Sequence, residues 1–311
     1  TSLAMAVFLF FLAAELSEEH RARLRRLLLA SFVFGLILIA VNMLTDAGLY
    51  RLVTEGKNLD KAETGANRAA VVMAVLLWPT LLATLEARHR RLAFLLPFAT
   101  LAVFLLTLSQ TAPVVLVIGF IVLTVCWVSP RLGTVLVVVI GVALILLMPF
   151  FFIETCPYLL KPGIGWNAAS AGARLEIWCA VSPAVLQAFF FGHGIEATRF
   201  VPDWHMAHLY FPDAGVLHPH NGALQIWYEF GVVGALFAAA IWGAIVHRIA
   251  NLPHNARAIC FAALTTIAVV SYISHGLWQS WWLGTVGIVP ALFRMVAGNM
   301  WFGVQEHRGV K

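Results

Sequence analysis

His220 and Asn221 stand at the head of an apolar run in the stretch HPHNGALQIWYEFGVVG, residues 218–234. An imidazole titrates near neutrality, so His220, or His218 before it, can take or give a proton where few side chains can. Two readings fit the placement. One is a polar cap on a hydrophobic helix, Asn221 being a favoured N-cap residue; the other is an active site at the boundary of water and lipid. Arg174 is followed four residues on by Trp178, on one face if the stretch is helical. Such an Arg can grip a phosphate through two parallel hydrogen bonds, or the pair can anchor a helix among headgroups. Arg68 and Arg199 are lesser candidates for the same role.

Glu229 is the carboxylate inside the apolar run, and an ionisable group there is a functional candidate by default. On a straight helix it lies ~13 Å beyond His220 and about half a turn round, so a structural pairing inside the bundle is favoured. His275 and Gln279, in SHGLWQSWW, are candidates for the same outer vestibule. His205, His208, His218 and His220 with Asp203 and Asp213 are ligands enough for zinc. Their His-x-x-His and His-x-His spacings are permissive, however, and no HExxH is present, so neither metal nor cofactor is expected. GxSxG, P-loop and paired-Cys motifs are absent too, which leaves hydrolase, ATPase and redox readings without support.

The elements that must hold these residues are membrane helices. Hydrophobic residues make up 61% of the 311 and charged ones 11%, with a mean hydropathy of +0.87. Soluble domains carry about 25% charged residues. The sequence therefore predicts an all-α polytopic membrane protein, a transmembrane helix bundle with a large external loop region containing interfacial helices. Apolar runs fall at 2–14, 27–44, 69–85, 92–108, 113–128, 134–153, 222–246, 258–278 and 280–297, most of them long enough to span a bilayer. The first run is short, and the chain is expected to begin inside a longer protein with earlier helices missing. No secretory signal peptide is visible.

Thirteen of the twenty Lys and Arg residues lie in the loops 18–26, 86–92, 129–133 and 247–257 and in the tail from Arg294. The longer opposite loops, 45–68 and 154–221, hold seven, which places the basic side in the cytoplasm. Three regions are expected: N-terminal transmembrane helices over 1–153, an external periplasmic loop region over 154–221, and C-terminal transmembrane helices with a cytoplasmic tail over 222–311. Within the loop region a re-entrant or interfacial helix should start near Ser170. Cys156 and Cys179 share that region, where an oxidising compartment would allow a disulfide; Cys126 and Cys260 read as buried hydrophobes. The net charge of +5 comes from short clusters without a basic stripe, so nucleic acid is not an expected partner.

His220-Asn221, nine residues, then Gly231-x-x-Gly234 resembles the HN-x9-GxxG signature of bacterial O-antigen ligases and related polysaccharide polymerases. Arg174-Leu-Glu-Ile-Trp178 followed by Gly192-His-Gly194 resembles the family's upstream stretch, and LWQSWWLGTVG its Trp-rich ending; the likeness covers about 109–290. The resemblance implies a metal-independent membrane glycosyltransferase of lipopolysaccharide assembly. It would take a glycan from undecaprenyl diphosphate and transfer it, outside the inner membrane, to a hydroxyl of the lipid A core. His220 would be the general base and Arg174 the holder of the diphosphate, with Asn221, His218, Trp178 and Glu229 in support. Direct displacement inverts the anomeric centre. The family's second Arg, in a Ser-Arg-Thr-Ala-like turn, is replaced in Ser109-Gln110-Thr111-Ala112, and glutamine supplies no charge. Either Arg68 or Arg199 substitutes, or Gln110 meets the diphosphate differently. An O-antigen or exopolysaccharide polymerase joining lipid-linked repeat units is the alternative. A transporter of lipid-linked sugars fits less well, because it would spread polar groups through several helices at mid-depth. Glycan, acceptor sugar and oligomeric state are not encoded legibly.

Overall fold

In hydrocarbon a backbone must satisfy its own hydrogen bonds, and each long apolar run meets this requirement as an α-helix. The computed structural model describes residues 2–57, 60–161, 169–201, 204 and 216–297. Eleven α-helices follow in order: α1 Ser2–Leu12, α2 Glu18–Leu44, α3 Gly48–Thr54, α4 Asp60–Glu86, α5 Arg90–Leu106, α6 Thr111–Val128, α7 Pro130–Leu159, α8 Ala169–Val185, α9 Gly222–Ala250, α10 His254–Ile273 and α11 Ser280–Ala297. There is no strand among the described residues. Among the described residues, seven helices are long and apolar enough to cross a bilayer: α2, α4 from Gly65, α6, α7, α9, α10 and α11. They leave Phe34, Ile121, Val139, Leu147 and Phe237 exposed, a surface suited to lipid and not to water. The chain is an all-α polytopic membrane protein.

Two compact units emerge. The first takes the chain to Pro130, Asn251–Ile267, and the part from Ser280; the second takes Arg131–Ala250 and Ala268–Gln279. In the first unit α4 is the most enclosed helix, with Ala70, Ala74, Val75, Leu77 and Trp78 buried. The Trp78 indole donates to Thr266 Oγ1 of α10 at 2.9 Å, so its polar edge is satisfied inside the unit. Arg21, at the start of α2, is buried and donates to the carbonyls of Ala13, Arg294 and Met295. Arg25 donates to the Val296 carbonyl at 2.8 Å. Two residues of a basic cluster thus cap the C-terminal carbonyls of α11, where a cation suits the helix dipole.

The second unit packs α7, α8 and α9 around Ile145, Phe152, Leu175, Ile177, Val181, Leu224 and Trp227. Pro149 lacks the N–H that Ile145 would otherwise bond within α7; the Trp227 indole donates to that carbonyl at 2.8 Å instead. Cys156 at the end of α7 is disulfide-bonded to Cys179 of α8, with Cα atoms 5.7 Å apart. Cys126 and Cys260 are buried and free, as their apolar surroundings predict.

α9 is not the straight span expected from its composition. Gly231 takes φ 62° and ψ −159°, which breaks the helix two turns in. The segment 189–194 docks into the break. Val232 and Val233 donate to the Phe189 and Phe190 carbonyls, while His193 and Gly194 donate to the Tyr228 and Glu229 carbonyls. This contact is backbone against backbone. A Cβ at Gly231 would stand 2.5 Å from the Phe189 carbonyl oxygen, and one at Gly192 would fall on the Glu229–Phe230 peptide. Gly192 of the G-x-G stretch and Gly231 of the G-x-x-G stretch therefore each meet the other's segment of backbone.

Candidate active site

The site is built at the N-terminal end of α9. Asn221 is buried, and its Oδ1 accepts the Leu224 N–H at 3.1 Å, the N-cap bond that its residue type predicts. His220 immediately precedes it with φ 54°, a left-handed backbone that turns its ring off the helix axis. The straight-helix offset between His220 and Glu229 therefore does not apply.

His220 Nδ1 lies 2.8 Å from the carbonyl oxygen of Ser274. A carbonyl only accepts, so Nδ1 carries the proton and a neutral ring presents a lone pair at Nε2. Burial holds His220 below its ordinary value; the Ser274 bond pulls it up and the charge of Arg174 pushes it down. The ring is therefore neutral at physiological pH. His218 lies beside it, ring centroids 4.1 Å apart. Burial, with the charges of His220, His275 and Arg199, pushes His218 down to about 3. Its Nδ1 receives the His220 N–H at 3.4 Å, and its Nε2 meets the Gln279 side-chain amide at 2.9 Å. Of the two histidines, His220 has the ring nitrogen without a hydrogen bond among the described residues.

Arg174 and Trp178 lie one turn apart on α8. The Trp178 indole donates to the Pro219 carbonyl at 2.8 Å, which ties α8 to the turn that carries both histidines. Phe152 of α7 packs on that indole, centroids 5.1 Å apart, and the disulfide joins the neighbouring Cys179 to α7. One turn towards the N-terminus, Arg174 is half-buried; burial lowers it from its ordinary value, yet a guanidinium starts so high that it keeps its charge. Arg199 follows Thr198, whose hydroxyl donates to the Leu217 carbonyl at 3.1 Å, and it pairs with Glu196 at 3.1 Å while remaining part exposed.

Glu229 is fully buried. Its Oε1 accepts from Gln225 at 2.9 Å and its Oε2 from the Trp278 indole at 2.6 Å. Glu229 thus has one partner on α9 itself and another, Trp278, outside it. The sequence reading named His275 and Gln279 of the latter's segment but missed Ser274 and Trp278. The apolar run 258–278 implied helix throughout, but α10 ends at Ile273 and 274–279 is an irregular turn. The signal was the cluster of Ser274, His275, Gly276 and Gln279 in an otherwise greasy stretch.

Seven of the nine candidates, His218, His220, Asn221, Arg174, Trp178, Arg199 and Glu229, belong to the second unit. Arg68 and Gln110 belong to the first. There the Arg68 guanidinium sits 5.9 Å from the Trp281 ring centroid, and Gln110 is exposed at the start of α6, where Ser109 Oγ accepts the Ala112 N–H. His205, His208, Asp203 and Asp213 lie outside the described residues.

Residues 92–239 match the family model described as O-antigen ligase. A protein of Rickettsia conorii provisionally named a polysaccharide ligase is 22% identical over 95% of this chain and 72% of its own length. A similarly named protein of Rickettsia prowazekii is 23% identical over 91% of the chain and 70% of its own length. No solved structure matches the chain. The matched segment spans α5 to the middle of α9 and so contains Arg174, the docking glycines and His220-Asn221. In that segment the chain is similar to the O-antigen ligase family, and the likeness supports a ligase-like membrane enzyme acting on polysaccharide.

Proposed function

We propose that this enzyme transfers a glycan from an undecaprenyl-diphosphate carrier to a hydroxyl of the lipid A core oligosaccharide, at the periplasmic face of the bacterial inner membrane. The observation that carries the reading is the state of His220: a neutral ring with its proton pinned to the Ser274 carbonyl and a lone pair at Nε2, within the field of Arg174. The acceptor hydroxyl oxygen attacks the anomeric carbon as the bond from that carbon to the diphosphate oxygen breaks. The electron pair leaves on the diphosphate, and the hydroxyl proton passes to Nε2 of His220. Arg174 neutralises the charge that grows on the leaving group, and the imidazolium then returns its proton to water. Displacement from the opposite face inverts the anomeric centre.

The Cys156–Cys179 disulfide supports placing this face outside the cytosol, where thiols are kept reduced. Gln110 offers a hydrogen-bond donor and no charge, so Arg199, in the same unit as His220, is the second cation that we assign to the diphosphate. The test uses purified protein with an undecaprenyl-diphosphate glycan and either lipid A core or a second lipid-linked glycan as acceptor. Product on the core is expected, and His220→Ala should lower its rate by ~10²–10⁴. A ladder of lengthened lipid-linked glycan would make the enzyme a polymerase; full transfer by His220→Ala would remove the base assignment.

A further inference from the structure

We propose that Glu229, acting through Gln225 and Trp278, is a positioning residue that presets the tautomer of His220 by holding the turn 274–279 against the first turns of α9. The inference rests on the base reading of His220 only for its kinetic consequence. Its geometry stands independently.

The ring proton of His220 sits on Nδ1 because the Ser274 carbonyl is there to receive it. That carbonyl lies just past the end of α10, in a turn without regular structure of its own. Two bonds from α9 hold the turn in place. Gln225 Oε1 accepts the Leu277 N–H at 2.9 Å, and Glu229 Oε2 accepts the Trp278 indole at 2.6 Å. A third bond, from Gln225 Nε2 to Glu229 Oε1 at 2.9 Å, orients the Gln225 amide so that its oxygen faces Leu277. Gln225 and Glu229 lie one turn apart on one face of α9, so the helix itself sets their separation. Phe230 meets the Trp278 ring edge to face, centroids 6.1 Å apart.

The same turn shapes the other side of the base. Gln279 meets His218 Nε2, and Gly276 leaves the room that the His218 ring occupies, since a Cβ there would stand 2.7 Å from His218 Cγ. The groups acting on His220 are therefore the Ser274 carbonyl from the turn, Arg174 from α8 and the His218 ring; His275 and Arg199 act on His218 in turn. Without the brace, Ser274 would lose its fixed distance to Nδ1, and the proton would divide between the two ring nitrogens. Half or more of the rings would then present N–H to a hydroxyl that needs a lone pair.

Glu229→Ala and Trp278→Phe, the latter keeping a ring and removing the indole N–H, test the inference in the full chain. Histidine ¹⁵N spectra, with His220 assigned by its loss in His220→Ala, report the tautomer directly. Both variants should convert the Nδ1–H form into a mixture. They should lower kcat about tenfold or more with little change in KM. The acidic limb of the pH profile should move to lower pH, because the lost carbonyl bond had favoured the charged ring. Glu229→Gln, which retains one acceptor oxygen, should fall between Glu229→Ala and the parent. Should Glu229→Ala fail to fold, Trp278→Phe carries the test. An unchanged tautomer and an unchanged pH limb in the folded variants, with activity lost only in proportion to folded protein, would overturn the proposal. A fully active His220→Ala would instead remove the base reading, leaving the ¹⁵N spectra to decide the positioning.

Discussion

Burial sets the pH range over which His220 can work as the proposed base. The ring must be unprotonated to accept a proton, and desolvation and Arg174 both hold it below the ordinary 6.5. The acidic limb of kcat/KM should therefore lie below about 6.5. Removing the Arg174 charge removes a repulsion, so Arg174→Gln should move the limb towards higher pH while cutting the rate ~10²–10³. Arg174→Lys should keep the limb near its parent position and recover only part of the rate, since an ammonium cannot match two phosphate oxygens at once. An unmoved limb in Arg174→Gln would show that this charge does not act on the base. Spacing made His220 and Arg174 legible before any coordinates, because a proton-active group and a guanidinium were placed at ends of apolar stretches. Spacing could not tell His220 from His218 on physical grounds. The difference is a bond to a carbonyl 54 residues away, and no local pattern encodes such a partner.

At the scale of elements, the break in α9 and the docked segment 189–194 form one joint. Gly231 combines a positive φ with backbone on the side where a Cβ would project. Gly231→Ala should cost about 2 kcal/mol or more, read as a lowered Tm in detergent. Gly243→Ala, on the same helix with nothing within 4 Å of the added carbon, should leave Tm unchanged or raised. Equal effects at the two positions would argue against the joint. Composition showed which stretches become helices, since apolar length is a local property; α8 starts at Ala169, beside the expected Ser170. It did not show where two of them stop. The end of α10 at Ile273 and the break at Gly231 are both decided by hydrogen bonds to distant chain, and apolar side chains continue past each.

For the whole molecule, the cysteines offer a test of which side of the membrane the histidines face. Cys126 and Cys260 are buried, while Cys156 and Cys179 are joined and tie α7 to α8. In intact spheroplasts an impermeant maleimide should label Cys156 and Cys179 only after reduction. Labelling from the cytosolic side alone would reverse the proposed orientation. The basic cluster read as an orientation signal has a second use in the folded chain. Arg21 leaves the ribosome 273 residues ahead of Arg294, whose carbonyl it caps. Arg21 is therefore made well before the carbonyl that it caps. Closure of the first unit is thereby tied to arrival of α11, whose last carbonyls this earlier guanidinium awaits.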